Sequence, residues 1–341
     1  MNYTTQWIAK ISIAAFIVNL TVGCTDTQTP TAAPPGQNIA EKVSKPKSAP
    51  QEPNVEREAD SESYDRIEDN SYQLVKNNPL STFSIDVDTA SYSNIRRFIN
   101  EGQLPPKDAV RLEEMINYFT YDYPQPKDGK PFSVSTETSQ AFWNRDRKLV
   151  EIGLQAKRIS NEDLPPSNLV FLLDVSGSMD DPNKLPLVKS SLRLLINELR
   201  QKDRISIVVY AGSAGLVLPP TPGDQKEKIL TALDKLQAGG STAGGEGIQL
   251  AYKIAKENFI PSGNNRIILA TDGDFNVGMS SDEQLVNLIE QKRKENIFLS
   301  VLGLGMGNLK DSKMEKLADK GNGNYAYIDS LLEAKKVLVK Q

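Results

Sequence analysis

From residue 168 to the C-terminus, short apolar segments alternate with longer segments of helical periodicity. The first, residues 168–173, is almost continuously apolar and predicts a buried strand. In the segment that follows, residues 183–201, apolar side chains recur at i, i+4, i+7 and i+11 and predict an amphipathic helix. They are Val188, Leu192, Leu195 and Leu199. Strands that alternate with helices in this way form a parallel sheet that is covered on both faces.

The alternation continues through the rest of the chain. Further strands are predicted at residues 205–210, 216–218, 266–270, 297–302 and 325–328. Further helices are predicted at residues 226–236 and 247–258, from 281 to about 295, up to Gly321, and finally up to Gln341. The short strand at 216–218 precedes two prolines, which places it at an edge of the sheet. The predicted fold class is therefore α/β, with a doubly wound, mostly parallel, Rossmann-like sheet over residues 166–341.

The preceding segment, residues 78–165, predicts a small mixed α+β domain. Alternation at 81–87 indicates a strand, residues 91–101 and 107–119 indicate two short helices, and residues 132–142 and 149–154 are β-like. The last two segments are too few to cover their own apolar face, so we expect them to be under-packed. A later segment could return to cover them, and on that interpretation the chain is truncated at Gln341.

The N-terminal region predicts export and lipidation. Residues 11–23 are mostly apolar, follow Lys10 and are too short to span a bilayer, so residues 1–23 are predicted to be a signal peptide. Residues 20–24 resemble a bacterial lipobox that ends at Cys24, although Thr21 stands where leucine is usual. The lipobox predicts lipidation of Cys24, and Thr25 after it favours the outer membrane. The alternative is an ordinary signal peptide with a chance cysteine. Residues 24–77, poor in apolar side chains, are predicted to be a disordered tether.

Composition excludes several classes of function. The chain has no histidine, which removes Ser-His-Asp and Cys-His catalysis and histidine-ligated zinc. A net charge of -4 without basic clusters argues against nucleic-acid binding. The sequence has no P-loop, and residues 303–307 lack the dinucleotide-binding spacing, so no nucleotide site is predicted. Any metal site must therefore be built from oxygen ligands.

Oxygen-bearing side chains cluster where the predicted strands end, which is where open α/β sheets bind ligands. They are Asp174, Ser176 and Ser178 after the first strand, Thr242 in a glycine-flanked loop, and Asp272 after the strand at 266–270. Gly177 is expected to let the first turn fold tightly. Two carboxylates with neutral hydroxyls suit Mg²⁺ or Mn²⁺, with Ca²⁺ next and zinc disfavoured. Such a site leaves a coordination position that a partner protein's Asp or Glu could fill.

These five residues resemble the metal-ion-dependent adhesion site (MIDAS) of von Willebrand factor type A domains. Residues 78–124 are similar to those of the YfbK-like bacterial lipoproteins that carry this domain. The resemblance implies a type A domain at residues 166–341 that binds another protein through its metal. It also selects Thr242 over the neighbouring Ser241, because Ile248 follows at the family's spacing.

Two alternatives remain open at this stage. Residues 86–89 match the Asp-x-Asp-x-Thr opening of haloacid-dehalogenase-type phosphatases, with Asp86 as nucleophile and Asp88 as magnesium ligand. Against this, no repeated βα units follow, and helix capping by Asp88 or Thr89 explains the same residues. The other alternative is a structural envelope lipoprotein with a non-functional metal site. We expect a binding protein and no enzymatic activity.

Overall fold

A computed structural model describes residues 62–340 except 84, 86, 212, 240–243, 274 and 276–281. The predicted signal peptide, Cys24 and most of the predicted tether lie outside these residues. Within them, every helix is too short or too polar to cross a bilayer.

The described elements follow the predicted alternation. The strands are β1 Phe132–Gln140, β2 Lys148–Ala156, β3 Ser167–Asp174, β4 Arg204–Ala211, β5 Ser213–Pro222, β6 Asn264–Thr271, β7 Phe298–Gly303 and β8 Tyr325–Tyr327. The helices are α1 Ala90–Asn100, α2 Leu112–Asn117, α3 Leu185–Glu198, α4 Lys226–Asp234, α5 Gly244–Glu257, α6 Asp282–Lys294, α7 Asp311–Lys320 and α8 Leu331–Lys335. A π-helical turn, Lys336–Lys340, follows α8.

Strands β3 to β8 form one sheet in the order β5-β4-β3-β6-β7-β8. All neighbours are parallel except β4 and β5, which are antiparallel. β5 lies at an edge, as its prolines predict, because proline cannot donate a ladder hydrogen bond. The α/β fold with a mostly parallel sheet is therefore confirmed.

The core lies on both faces of this sheet, because side chains along β3 point alternately to each side. Val170 and Leu172 pack with buried residues of α5, α6 and α7. Leu169, Phe171 and Leu173 pack with buried residues of α3, α4 and α8. Burial on both faces explains why the strand sequence is apolar without alternation.

The region before β3 departs from prediction in two places. The strand expected at residues 81–87 is not formed by the described residues of that segment, where Phe83 and Ile85 are exposed. The helix expected at 107–119 is broken into a 3₁₀ turn, Lys107–Ala109, and α2. The break occurs because Arg111 is extended (φ -98°, ψ 113°), with its backbone N–H donating to Ser91 Oγ at 3.0 Å. By contrast, α1 agrees with the predicted helix that stops before Gly102.

The segment with α1 and α2 contacts the β8 side of the sheet. Ser93 Oγ donates to the carbonyl of Tyr327 at 2.7 Å. Ser63 forms a parallel bridge with Lys310, and ordered contacts therefore begin upstream of residue 78, where the mixed domain is predicted to start. The predicted tether, drawn to residue 77, therefore overlaps residues that contact the α/β unit.

Strands β1 and β2 form a two-stranded antiparallel hairpin with an apolar face and a polar face. The apolar side chains that share one face are exposed by 39% to 56%: Phe132, Val134, Val150, Ile152 and Leu154. On the other face Tyr123 lies so close to Gly153 that a Cβ there would be 2.5 Å from its ring. The structure thus leaves the apolar face uncovered, as the sequence predicts.

Candidate metal centre

Two carboxylates meet at the carboxyl edge of the sheet. Asp174 is the last residue of β3, and Asp272 directly follows β6, its neighbour in the sheet. The register pairs Leu173 with Ala270, so the two strand ends lie side by side. After β3 the chain continues to β4 on one side of the sheet, and after β6 it continues to β7 on the other side. The place between β3 and β6 is therefore the topological switch point, where such sheets bind ligands. Both Asp174 and Asp272 are fully buried.

The carboxylate of Asp174 is held by three donors. Its Oδ1 accepts from the Ser176 backbone N–H at 2.9 Å. Its Oδ2 accepts from the Tyr210 hydroxyl at 3.0 Å and from Thr271 Oγ1 at 3.3 Å. Burial raises the pKa of Asp174 despite these bonds, and the negative charge of Asp272 raises it further. A nearby cation would relieve both effects.

The two serines of the first loop lie close together at the rim. Ser176 is buried and its Oγ is 3.1 Å from that of Ser178, which is exposed. Gly177 begins a tight 3₁₀ turn, Gly177–Asp180, without a positive φ. A second glycine of the candidate site, Gly273, is constrained both in φ and in the space around it. It has a φ of 121°, and a Cβ there would lie 2.2 Å from the carbonyl oxygen of Asn308.

Asp272 has one satisfied and one unsatisfied oxygen. Its Oδ2 accepts from Lys184 Nζ at 2.9 Å. Its Oδ1 is buried and has no hydrogen-bond partner among the described residues. An orphaned carboxylate oxygen beside a second carboxylate and two hydroxyls is a donor set that fits a hard divalent cation. Within the described part of the chain no group of three or more acidic, histidine or cysteine residues is arranged to hold a metal ion.

Thr242 lies outside the described residues, and its role as a ligand stays a prediction. Both flanks of its loop are placed near the site. The Gly239 N–H donates to the Val175 carbonyl at 2.8 Å, directly beside the first loop. After the loop, a Cβ on Gly247 of α5 would lie 2.9 Å from the Cβ of Tyr210.

Three residues that contact the two carboxylates were not predicted as part of the site. Tyr210 is the partner of Asp174 in the β3–β4 register, and an aromatic hydroxyl after the aliphatic run 207–209 of β4 is the signal that could have found it. Burial raises the pKa of its hydroxyl well above the usual value, so Tyr210 stays a donor. Thr271 directly precedes Asp272, and this adjacency to a predicted ligand is the signal that could have found it. Lys184 carries no sequence signal, because it is a single lysine ahead of a helix.

The residues of the phosphatase alternative have another place in the structure. Asp86 lies outside the described residues. Asp88 Oδ1 accepts from the Tyr325 backbone N–H of β8 at 2.8 Å. Thr89 is the residue before α1, but its side chain makes no capping bond there. The contact of Asp88 positions β8, which neither the phosphatase nor the capping interpretation predicts.

An α/β fold with an oxygen-lined site at its switch point defines the class, and the comparisons with known proteins assign the family. The chain matches the von Willebrand factor type A domain family over residues 168–341, and a family described as von Willebrand factor over residues 58–151. It therefore belongs to the von Willebrand factor type A domain family. Domains of this family typically mediate protein–protein interaction and carry a MIDAS that binds a divalent metal.

Particular relatives confirm the resemblance to YfbK-like proteins. The chain is 48% identical over 283 residues to a protein of Escherichia coli K12 named "Uncharacterized protein YfbK", covering 81% of this chain and 49% of YfbK. It thus spans about half the length of that relative. A solved type A structure from Catenulispora acidiphila is 20% identical, covers 64% of this chain and 50% of that one, and has a TM-score of 0.45. Proximal thread matrix protein 1 from the mussel byssus, solved with a zinc-occupied MIDAS, is 22% identical, covers 52% and 45%, and has a TM-score of 0.41.

Proposed function

We propose that this protein binds a partner protein through one divalent cation held at the carboxyl edge of its sheet. The observation that carries the proposal is the buried, unpartnered Oδ1 of Asp272 beside the buried carboxylate of Asp174. Leaving such an acceptor unpaired in the interior is unfavourable, and a cation removes that cost. The ligands would be Asp174, Ser176, Ser178, Thr242 and Asp272.

The chemistry of these ligands favours Mg²⁺ or Mn²⁺, with Ca²⁺ next. When bound, the cation offers a coordination position that an Asp or Glu of the partner can fill. Exposure indicates the side of approach, because Ser178 is exposed whereas Asp174, Ser176 and Asp272 are buried. The partner would therefore reach the cation past Ser178.

A groove beside this rim supports a protein ligand. It has a volume of about 650 Å³ and begins at Asp180, two residues after Ser178. Basic side chains, Lys189 and Arg193, line it together with Asp234 and the apolar Leu236. Such a lining is compatible with a non-obligate protein interface, whose composition is close to that of the rest of a protein surface.

We further propose that the protein is anchored in the bacterial envelope by a lipid on Cys24, with the outer membrane favoured. The support is the signal-like segment at residues 1–23 and the lipobox-like residues that end it. Metabolic labelling with a palmitate analogue tests this directly. The wild-type protein should be labelled and the Cys24→Ser variant should not. Equal labelling of both would remove the anchor from the proposal.

Capture from an envelope extract tests the adhesion function. Immobilised protein should retain a partner with Mg²⁺ or Mn²⁺ and release it with a chelator, and the Asp174→Ala variant should retain none. Asp224→Ala is the matched control, because Asp224 is an exposed aspartate at the opposite edge of the sheet. Captured proteins that are identical with metal, with chelator and with Asp174→Ala would overturn the proposal.

A further inference from the structure

Lys184 is a buried cation at the metal centre. It directly precedes α3, and the residue is only 5% exposed. Its Nζ lies 2.9 Å from Asp272 Oδ2, on the carboxylate whose other oxygen has no partner among the described residues. A buried ammonium group is strongly unfavourable unless a carboxylate pairs with it. The position of this lysine is therefore specific.

The backbone around Lys184 is shaped to hold its side chain. Gly305, in the loop after β7, has a φ of 70°. A Cβ at Gly305 would lie 2.3 Å from Lys184 Cε and 2.8 Å from its Cγ, so the lysine stem runs directly over this glycine. The Lys184 backbone N–H donates to the Asp181 carbonyl at 2.9 Å and fixes the start of the stem. The Lys184 side chain can therefore reach Asp272 only because residue 305 is a glycine.

We propose that Lys184 is the internal counter-ion of the metal centre. In the metal-free protein it neutralises Asp272 and keeps the two buried carboxylates compatible with the fold. Beside a bound divalent cation it adds a positive charge, which weakens metal binding. The metal part of this inference rests on the proposed function, whereas the metal-free part rests on the contact with Asp272 alone.

The charges of the three side chains give the direction of the effect on stability and of the effect on metal affinity. Asp174 and Asp272 together carry two negative charges, and Lys184 offsets one of them. Without Lys184, the metal-free centre has both carboxylates uncompensated and a divalent cation is attracted more strongly. At separations of a few ångströms inside a protein, one unit charge changes a dissociation constant by about tenfold or more. Removing the lysine charge should therefore destabilise the metal-free protein and tighten metal binding.

The test uses Lys184→Met, which keeps most of the apolar stem and removes the charge. In chelator, its thermal midpoint should fall by about 10 °C, as expected when one partner of a buried ion pair is removed. In the Asp272→Asn background, the same substitution should not lower the midpoint, because Lys184 is there a buried ammonium group without its carboxylate and its removal relieves that cost. Lys292→Met is the matched control, since Lys292 of α6 is a partly buried lysine whose Nζ lies 3.1 Å from the carboxylate of Glu295, just after the helix.

Calorimetric titration with Mn²⁺ completes the test. Lys184→Met should bind Mn²⁺ at least about tenfold more tightly than wild type, whereas Lys292→Met should bind it like wild type. If Lys184→Met does not fold in chelator, recovery of folding by adding Asp272→Asn supports the proposal. Equal loss of stability in the single and double variants, or unchanged or weaker Mn²⁺ binding by Lys184→Met, would overturn it. If wild type and variants all fail to bind Mn²⁺ while the stability coupling is present, the proposed function fails and the counter-ion role in the metal-free protein stands.

Discussion

At the scale of single residues, the two buried aspartates of the candidate site differ in how their carboxylate oxygens are paired. Asp174 has three donors, including Tyr210 and Thr271, so its orientation is set before any ligand arrives. Asp272 has a partner on Oδ2 alone among the described residues. A polar cluster that needs no ligand would have partners for all of its buried oxygens. The unpartnered Oδ1 of Asp272 therefore marks this cluster as one with a place for a ligand.

Gly273 is the residue whose backbone places Asp272. Substitution to alanine forces a side chain into the carbonyl of Asn308 and into an unfavourable φ. We expect Gly273→Ala to lower the free energy of unfolding by more than about 2 kcal/mol. Chemical denaturation measures this. Gly129→Ala is the control, because Gly129 has a φ of 73° but open space around it, and it should cost less. Equal effects of the two substitutions would show that close approach to Asn308 is unimportant.

Glu315 predicts a pH dependence of stability. Burial raises the pKa of Glu315 to about 7. The charge of Arg111 lowers this pKa, but the charges of Glu114 and Asp311 raise it, so Arg111 offsets only part of the effect of burial. The unfolded value is about 4.5. A carboxyl group whose pKa is higher in the folded than in the unfolded state makes the folded state less stable as the pH rises between these two pKa values. Glu315→Gln should therefore raise the thermal midpoint more at pH 8 than at pH 4.5. Equal differences at the two pH values would contradict this.

At the scale of elements, the β1–β2 hairpin contrasts with the main sheet. β3 has a strand on each side and helices on both faces, whereas β1 and β2 have only each other and an exposed apolar face. A two-stranded sheet without a covered face is marginally stable. The hairpin is therefore expected to open far more often than β3.

Hydrogen exchange compares the two directly. Amides of β1 and β2 that are paired in the hairpin should exchange orders of magnitude faster than those of β3, because opening the hairpin exposes little additional core. The β3 amides in the same sample are the internal control. Slow exchange across β1 and β2, comparable with β3, would show that the hairpin is stable without a cover.

The elements that could be predicted from the sequence are those whose own residues show which side chains are buried. The β3 run and the α3 periodicity each carry their own signal, and both were placed within a few residues. The segment at 81–87 alternates without burying its apolar side chains, and the helix at 107–119 is interrupted by Arg111, which bonds to Asp311, 200 positions away in sequence. Local periodicity cannot contain such distant contacts.

The same distinction applies to the metal centre. The meeting of Asp174 and Asp272 was predictable because they lie at the ends of strands that the fold brings together, and their binding of a metal stays a prediction. Lys184 and Tyr210 were not, because their roles depend on which side chains meet across the sheet edge. Thr242 lies outside the described residues, and its assignment still depends on the family resemblance.

At the scale of the whole molecule, ion pairs connect the α1–α2 segment to the α/β unit. Arg96 contacts Asp329 at 2.6 Å and Glu333 at 2.8 Å. Arg111 contacts Asp311 at 2.6 Å, and the Asp311 side chain is only 1% exposed. Removing the arginines would leave buried carboxylates unpaired, which costs several kcal/mol. The boundary predicted at residue 165 therefore separates two parts that are joined by buried ion pairs in the described structure.

A fragment of residues 166–341 tests this dependence. It should unfold at a temperature lower by at least about 10 °C than the fragment 62–341, because Asp311 and Glu333 lose their arginine partners and β8 loses its contacts with α1. Thermal melts of the two fragments measure the difference. Equal midpoints would show that the type A domain is independent of the segment before it.

The central claim is that Asp174 and Asp272 hold one divalent cation, and calorimetric titration with Mn²⁺ and Mg²⁺ tests it most directly. The wild-type protein and the Asp224→Ala control should each bind one ion per chain, and Asp174→Ala and Asp272→Ala should bind none, because each removes a buried charge that offsets the cation's lost hydration. Binding by either site variant that equals wild type, or no binding by the wild-type protein, would contradict the account.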